Sequence, residues 1–321
     1  MTHGASRLRF DCRGPGNRLL GRRGGPRGLS GGLLHRGRAD SARICGTFGT
    51  VTVERGKMRL LRQCVYGAAI GDAMGVPFEF RPRGSFECHG MTGHGSHDKP
   101  AGTWSDDTSM ILAELDCWSD TGSLGDVMSY FRRWLHGGEY TVDGVFDVGG
   151  TTARAIDTGK PQCHRLDSGN GAVMRCVPLA VLPVEKLESM RSLSATHGSP
   201  ESVRACNFLY DFATRMAYRG IADCRAECPE VAGGYCWDTV EAAIWALNGS
   251  DSFEEAVLRA VNLGDDTDTN ACVAGALAAI FYDGVNEEWL SQIRGRETID
   301  RVLDKVERRT RSIIKEALSE G

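Results

Sequence analysis

Two short segments of the chain concentrate side chains that can bind a metal ion. Each segment carries carboxylates close together, with a hydroxyl group beside them. The residues are Ser105, Asp106 and Asp107 in the first segment, and Asp266, Asp268 and Thr269 in the second. Carboxylate and hydroxyl oxygens are the ligands that hard divalent cations such as Mg²⁺, Mn²⁺ and Ca²⁺ prefer. The two segments therefore form a candidate site for divalent cations.

Helix capping is the alternative role for either segment alone, because both come directly before an apolar stretch with helical character. Serine, threonine and aspartate are favoured N-cap residues, and carboxylates in the first turn interact well with the helix dipole. A cap needs only one or two side-chain oxygens, whereas each segment offers more. If the two segments meet in space, their carboxylates would repel one another strongly without cations. On that condition, the pair predicts a two-metal site.

A glycine-rich loop farther along the chain is a candidate phosphate-binding loop. Its residues include Ser168, Gly169, Asn170, Gly171 and Met174. Gly-Asn-Gly at the start of a helix exposes backbone N–H groups, which can bind phosphate oxygens. A tight turn closed by glycine is the alternative that these residues leave open.

Glu79 is a candidate proton donor or acceptor. It follows Pro77 and lies between Phe78 and Phe80. Apolar surroundings disfavour the charged form of a carboxyl group, so they raise its pKa toward the range that is useful for acid–base catalysis. A solvated loop glutamate is the alternative.

Periodic apolar positions indicate that helices position these segments. Apolar residues recur at helical spacing within residues 124–135, 253–261 and 299–313. The only stretch with the alternation typical of a strand runs from Thr50 to Glu54. Small residues in segments 67–71 and 274–279 allow helices to approach closely around a central site. We therefore expect an all-α fold, a compact helical bundle.

Residues 1–57 differ in composition from the rest of the chain. They hold eleven Arg and one Lys against three acidic residues, a net charge of +9 that leaves −13 for residues 58–321. Gly and Arg are abundant in residues 1–50, and this composition buries too little apolar surface to fold. We expect a disordered basic extension over 1–57 and one domain over 58–321. Three interpretations of this segment stay open. It could be a nucleic-acid-binding tail, a transit peptide, or an extension that precedes a true first residue at Met58.

Composition also bears on partners and compartment. The acidic charge of residues 58–321 suits metal cations and is unlike a nucleic-acid-binding surface. The sequence has no apolar run long enough for a transmembrane helix, so we expect no membrane partner. Twelve irregularly spaced cysteines are too sparse for a disulfide scaffold, and they favour reduced thiols in a cytoplasmic protein.

In their order along the chain, these segments resemble the ADP-ribosylglycohydrolase family, which includes the dinitrogenase-reductase-activating glycohydrolase and the ADP-ribosyl-acceptor hydrolases. The resemblance runs from Met58 to the C-terminus. It rests on the motifs Gly71-Asp72-Ala73-Met74-Gly75-Val76-Pro77-Phe78-Glu79, Trp104-Ser105-Asp106-Asp107-Thr108, Phe146-Asp147-Val148-Gly149-Gly150-Thr151-Thr152, Gly169-Asn170-Gly171-Ala172-Val173-Met174-Arg175, Thr196-His197-Gly198 and Asn262-Leu263-Gly264-Asp265-Asp266-Thr267-Asp268-Thr269. Each motif is short, but the ordered set is specific.

The resemblance implies an all-α orthogonal bundle with two Mg²⁺ ions, or Mn²⁺ in their place, at the bottom of a cleft. It implies that the catalytic residues are Glu79 and Asp147. The implied metal ligands are Ser105, Asp106, Asp107, Asp266, Asp268 and Thr269. The implied ligand-binding residues are Ser168, Gly169, Asn170, Gly171, Met174 and His197. For His197, a buried structural role is the alternative.

Three positions depart from the family pattern. Ser105 replaces the more usual threonine, and Ser199 replaces an aspartate that often follows His-Gly. Asp265 stands where glycine is common, which adds a charge and can change the bend of the loop. None of the three removes a metal ligand, so we keep the prediction of an enzyme.

The activity that the resemblance implies is hydrolysis at the anomeric carbon of the distal ribose, through a transition state that resembles an oxocarbenium ion. The reaction would cleave an N- or O-glycosidic bond between ADP-ribose and an acceptor, such as a modified protein, with the metals on the ribose hydroxyls. We expect a monomer. An inactive ADP-ribose-binding or structural relative and a metal-dependent hydrolase of phosphate esters are the alternatives. Arginine, serine, a nucleic-acid base or a small molecule all remain open as the acceptor.

Overall fold

Helices form almost all of the regular structure. The computed structural model describes residues 9–10, 40–220, 222 and 224–319, with side chains from residue 56 onward except that of residue 318. The helices of this described part are α1 (Asp40–Gly75), α2 (Asp106–Thr121), α3 (Val127–Gly137), α4 (Gly150–Thr158), α5 (Cys176–Val181), α6 (Lys186–Ser194), α7 (Pro200–Arg219), α8 (Cys236–Asn248), α9 (Phe253–Val261), α10 (Thr267–Phe281), α11 (Glu287–Gln292) and α12 (Arg296–Ser319). Two short 3-10 helices span Val76–Phe78 and Gly95–His97, and strand β1 (Arg9–Phe10) pairs antiparallel with β2 (Cys224–Arg225). The all-α prediction is confirmed.

Helices α1 and α10 form the centre of the fold because small residues let their backbones touch. Gly71 and Gly75 lie four residues apart on one face of α1. A methyl group at Gly71 would overlap the carbonyl oxygen of Ala271, and one at Gly75 would overlap the backbone of Asp268. Close approach through small residues thus holds the end of α1 against the start of α10. The same contact brings Asp72 near the second acidic segment.

The other helices pack around this central pair. Helices α8 and α9 pack against α10, α2 contacts both α12 and α3, and α5 packs against α7. The apolar stripes predicted within residues 124–135, 253–261 and 299–313 fall in α3, α9 and α12, and most of their apolar side chains are buried. Helical spacing in the sequence therefore identified three helices correctly.

The longest helices do not form membrane spans. Helix α12, for example, carries charged side chains along its whole length. Within the described residues, no helix combines the length and the apolar composition needed to cross a membrane.

The N-terminal part of α1 differs from the sequence predictions. The strand candidate from Thr50 to Glu54 is wrong, since these residues lie in α1. Alternating β-branched residues favour a strand locally, but strand propensity depends strongly on context, and here the segment continues a long helix. Helix α1 also crosses the predicted domain boundary, so residues 40–57 are helical where we expected disorder. Residues 1–8 and 11–39 lie outside the described residues, and the division at residue 58 stays a prediction.

Candidate active site

The two acidic segments meet, which is the condition for the predicted two-metal site. Carboxylate oxygens of Asp107 and Asp268, near the starts of α2 and α10, lie within 4.8 Å of each other and of an oxygen of Asp72. A second group within the same distance contains Glu79, Asp266 and Asp268. Because Asp268 belongs to both groups, these five residues form one set, here called the carboxylate cluster.

Asp72 is the member of the carboxylate cluster that sequence analysis missed. Its buried carboxylate accepts hydrogen bonds from the backbone N–H of Ser105 at 2.8 Å, and from the N–H and hydroxyl of Thr108 at 3.0 and 2.6 Å. Burial raises the pKa of Asp72 to about 6, although these hydrogen bonds lower it. The available signal was a charged residue inside an otherwise apolar helical segment, since a fully buried aspartate is rare without partners.

The carboxylate cluster fits a divalent cation. Asp107 Oδ2 and Asp268 Oδ2 are buried, and neither oxygen has a hydrogen-bond partner among the described residues. Burial, followed by the charges of neighbouring carboxylates, raises the pKa of both side chains well above the usual value. Unpaired buried oxygens are uncommon because they are costly. A hard cation would provide the missing partner and offset the repulsion.

The first acidic segment combines capping with proximity to the cluster. Ser105 Oγ accepts a hydrogen bond from the N–H of Asp107 at 3.3 Å, which makes Ser105 the N-cap of α2. The hydroxyl of Thr269 lies 3.4 Å from Asp107 Oδ1. Asp106 falls outside both groups of the cluster, but burial and the charge of Asp147 raise its pKa well above the usual value. Metal binding stays a prediction for Ser105, Asp106 and Thr269, and for Asp107, Asp266 and Asp268 as well.

Glu79 lies against a histidine that sequence analysis missed. Its carboxylate is hydrogen-bonded to His97 Nε2, and Asp147 lies within 4.8 Å of both groups. Burial raises the pKa of Glu79 to about 7, although the hydrogen bond to His97 lowers it. The same hydrogen bond raises the pKa of His97. Burial also raises the pKa of Asp147, although the charge of His97 lowers it. No motif in the sequence distinguished His97 from other loop histidines.

Two strained residues connect the loops on either side of the cluster. Phe80 and Asp265 have positive φ angles of 63° and 60°, although neither is glycine. The N–H of Phe80 donates to the Asp265 carbonyl oxygen at 2.7 Å, and the N–H of Asp265 donates to the Arg81 carbonyl oxygen at 2.9 Å. These bonds tie the segment after Glu79 to the segment before Asp266. The left-handed backbone explains why glycine suits position 265 and why aspartate is tolerated there.

The glycine-rich loop borders the carboxylate cluster. Asn170 Nδ2 donates to Asp266 Oδ2 at 2.8 Å and to Thr239 Oγ1 at 2.9 Å. The N–H of Asn170 donates to the carbonyl oxygen of Gly234 at 3.0 Å. The structure therefore brings this predicted loop beside one of the predicted metal ligands.

Several predicted ligand-binding residues lie beneath the loop. His197 is 3 % exposed, and its ring packs so closely under Gly171 that a methyl group there would lie 2.7 Å from His197 Cε1. Burial lowers the pKa of His197 to about 3, so the ring is neutral. The hydroxyl of Ser168 lies 2.9 Å from Ser199 Oγ, and Met174 belongs to the hydrophobic core. Gly169, like Asn170, is partly exposed. Direct ligand contact by these residues stays a prediction.

A buried ion pair anchors the same loop. Arg175 pairs with the carboxylate of Glu114 on α2. Its Nε donates to the carbonyl oxygen of Gly171 at 3.0 Å, and its Nη2 donates to Thr196 Oγ1 at 2.7 Å. The pair thereby fixes the loop relative to α2, a role that sequence analysis did not assign to Arg175.

Comparisons with known proteins agree with this geometry. The chain matches the ADP-ribosylglycohydrolase family over residues 55–230 and 209–313. It is 31 % identical over 307 residues to an ADP-ribosylarginine hydrolase of Pseudomonas putida, a match that covers 83 % of this chain and 81 % of that protein. It is 30 % identical over 263 residues to the ADP-ribosyl-dinitrogen reductase glycohydrolase of Rhodospirillum rubrum, over 71 % of this chain and 87 % of that protein. A solved structure, an ADP-ribosylglycohydrolase-related protein complex, matches with a TM-score of 0.67 and 29 % identity, over 79 % of this chain and 99 % of that chain.

A helical fold with acidic segments at its centre, together with these relatives, defines an enzyme that hydrolyses a glycosidic bond. The chain belongs to the ADP-ribosylglycohydrolase family. The resemblance drawn from the sequence motifs is confirmed.

Proposed function

We propose that this protein is a divalent-metal-dependent ADP-ribosylarginine hydrolase, which cleaves the N-glycosidic bond between ADP-ribose and an arginine side chain. The observation that carries the proposal is the carboxylate cluster, in which buried oxygens of Asp107 and Asp268 have no hydrogen-bond partner among the described residues. The arginine linkage is inferred from the names of the relatives in Pseudomonas putida and Serratia proteamaculans.

Oxygen ligands on α2 and α10 would hold two Mg²⁺ ions, or Mn²⁺ in their place. These residues are Ser105, Asp106, Asp107, Asp266, Asp268 and Thr269. Ions held by these residues would supply positive charge that can orient a bound sugar and stabilise developing negative charge. Asp72 orients the metal ligands and is not itself a ligand, because its oxygens already accept three hydrogen bonds from the start of α2.

Glu79 is suited to the proton transfers of the reaction. Hydrolysis requires a proton on the leaving nitrogen and the removal of one from water. Burial raises the pKa of Glu79 toward the range in which a carboxyl group can both donate and accept a proton. The hydrogen bond from His97 fixes the position of its carboxylate, and Asp147 is the second carboxyl group in reach.

The glycine-rich loop is suited to the diphosphate and the adjoining ribose. Its backbone N–H groups precede α5, where they can bind phosphate oxygens. The bond from Asn170 to Asp266 puts this loop at the edge of the cluster, so one substrate can span both. Below the loop, the neutral ring of His197 and the ion pair of Arg175 keep its shape.

We further propose that residues 58–321 form the catalytic domain and act as a cytoplasmic monomer on ADP-ribosylated proteins. The cysteines that the structure describes are free thiols, as a reducing compartment would keep them. Because every site residue lies after residue 58, a chain that lacks residues 1–57 should keep its activity and its melting temperature. Loss of either would contradict this domain division.

A panel of substrates that share ADP-ribose tests the proposed activity. Arginine-linked, serine-linked and base-linked ADP-ribose would each be incubated with the protein, then with chelator, then with added Mg²⁺ or Mn²⁺. We expect intact ADP-ribose to be released from arginine, release to stop on chelation, and metal to restore it. Products identified by mass spectrometry separate this activity from phosphate-ester hydrolysis, which would yield AMP or phosphate. Activity that survives exhaustive chelation, or no release from arginine, would reject the proposal.

A further inference from the structure

An exposed phenylalanine directly follows the buried Glu79. Phe80 is 69 % exposed, whereas Glu79 is 4 % exposed. A φ of 63° is unfavourable for a bulky residue, yet the reciprocal bonds with the loop at Asp265 hold Phe80 in it. A ring that is mostly in solvent adds little to the core, so core packing does not explain a bulky side chain at this position. Strained residues of this kind concentrate at ligand-binding positions.

Phe80 belongs to a group of rings around the proton-handling residues. The ring centroid of His97 lies 5.8 Å from that of Phe80 and 5.2 Å from that of Phe146. His97 also contacts Glu79, and Phe146 is followed directly by Asp147. We call Phe80, His97 and Phe146 the aromatic rim.

The aromatic rim and the glycine-rich loop contact different members of the carboxylate cluster. The loop meets Asp266 through Asn170, while the rim meets Glu79 through His97. A substrate whose diphosphate lies on the loop would extend its distal ribose over the cluster. The group attached to the anomeric carbon of that ribose would then face Glu79 and the rim.

One ring of the aromatic rim and two rings beside it already face cations of the protein itself. The guanidinium carbon of Arg81 lies 5.7 Å from the ring centroid of Phe78 and 5.0 Å from that of Phe86. Lys99 Nζ lies 4.8 Å from the ring centroid of Phe146. Cation–π contacts of this geometry are favourable, and arginine adds planar stacking to them.

We propose that the aromatic rim is the acceptor-side subsite and that Phe80 determines specificity for a planar guanidinium group. The inference rests on the proposed function. The ring of Phe80 would stack on the guanidinium of the modified arginine, and the carboxyl groups of Glu79 and Asp147 would favour its positive charge. A serine acceptor has neither a positive charge nor a planar group, so contact with the aromatic rim would not strengthen its binding.

Two substitutions separate the ring of Phe80 from its backbone conformation. Phe80→Asn removes the ring but tolerates positive φ, whereas Phe80→Tyr keeps the ring. We expect Phe80→Asn to raise KM for an arginine-linked peptide about tenfold, the order of a cation–π contact, with a much smaller effect on kcat. The Kd for ADP-ribose, measured by calorimetry, should be unchanged because ADP-ribose lacks the acceptor. Phe80→Tyr should keep KM near the wild-type value.

The control is Leu187→Ala, which removes an apolar side chain that is 62 % exposed on α6. It should change neither KM nor Kd. A wild-type KM in Phe80→Asn would overturn the inference and leave the proposed function intact. A parallel rise of KM and of the Kd for ADP-ribose, or a fall in melting temperature shared by Phe80→Tyr, would assign Phe80 a structural role and also overturn it. A wild-type enzyme that releases no ADP-ribose from arginine would instead reject the proposed function, and the inference with it.

Discussion

The carboxylate of Asp72 accepts a hydrogen bond from the hydroxyl of Thr108 at 2.6 Å, and so joins the last turn of α1 to the first turn of α2. The same carboxylate has oxygens within 4.8 Å of Asp107 and Asp268. One buried side chain on a central helix thereby holds the start of α2, which carries Asp107. Groups that orient metal ligands in this way strongly affect metal affinity.

Asp72→Ala should lower both metal affinity and stability. It leaves the N–H groups of Ser105 and Thr108 without their acceptor, which costs about 1–3 kcal/mol of unfolding free energy for each buried donor. Affinity for Mn²⁺ should fall by about 10- to 100-fold, as for other residues that orient ligands. Denaturant unfolding and titration calorimetry measure the two effects. Asp116→Ala is the control, because Asp116 is buried on α2, the helix whose start Asp72 holds, but pairs with Lys305 and Tyr140. Unchanged Mn²⁺ affinity in Asp72→Ala would contradict the role given to Asp72.

Asp268→Ala should abolish activity and the rise in melting temperature that metal produces. Bound metal stabilises the folded state by mass action, and Asp268 belongs to both groups of the cluster. Without metal, the variant should melt no lower than the wild type, because removal of one charge relieves repulsion. Capping alone predicts instead a loss of about 1 kcal/mol with or without metal, and retained activity. Asp265→Asn is the control in the same loop. Position 265 is exposed and has a positive φ, which asparagine tolerates.

Glu79→Gln should lower turnover far more than ligand affinity. The amide keeps the shape of the side chain but cannot exchange the proton, so kcat should fall by about 10²- to 10⁴-fold. The Kd for ADP-ribose should change little. Steady-state kinetics and calorimetry measure the two quantities. Glu87→Gln, whose wild-type side chain is 76 % exposed in the same connecting segment, should behave as the wild type. A Glu79→Gln enzyme with wild-type kcat would exclude Glu79 from proton transfer.

Loss of stability in mild acid should depend on His197. Burial lowers its pKa in the folded protein to about 3, from an ordinary value of 6.5. Between these values the unfolded chain takes up a proton that the folded chain does not. The contribution of His197 to the unfolding free energy is therefore fully present above pH 6.5 and is lost as the pH falls below it, by up to about 1.4 kcal/mol per pH unit.

The measurement is the unfolding free energy at pH 7 and pH 5. His197→Gln should show a smaller difference between the two conditions than the wild type. His89→Gln, at a side chain that is 76 % exposed, controls for the loss of a histidine. Equal acid sensitivity in His197→Gln and the wild type would show that the buried ring is not the cause.

Helical spacing in the sequence predicted α3, α9 and α12, because apolar residues on one face of a helix recur at fixed intervals. The only strand candidate, at residues 50–54, lies in a helix, since local alternation does not determine how a longer segment folds. For the site, residue type was informative where several oxygens lie within a few residues, as in the two acidic segments. Isolated functional residues gave little signal, and His97 and Asp72 were both missed for that reason.

The sequence by itself determined the helical class of the fold, the family and the oxygen-rich composition of the acidic segments. Each of these follows from residue types and from their spacing within one segment. Only the tertiary structure decided that the acidic segments meet, that Asp72 holds the start of α2, and that Phe80 contacts Asp265. Those contacts join residues from different segments, and close packing of α1 against α10 creates them. Spacing along a chain specifies neighbours within a helix, whereas the distance between two helices depends on the side chains packed between them.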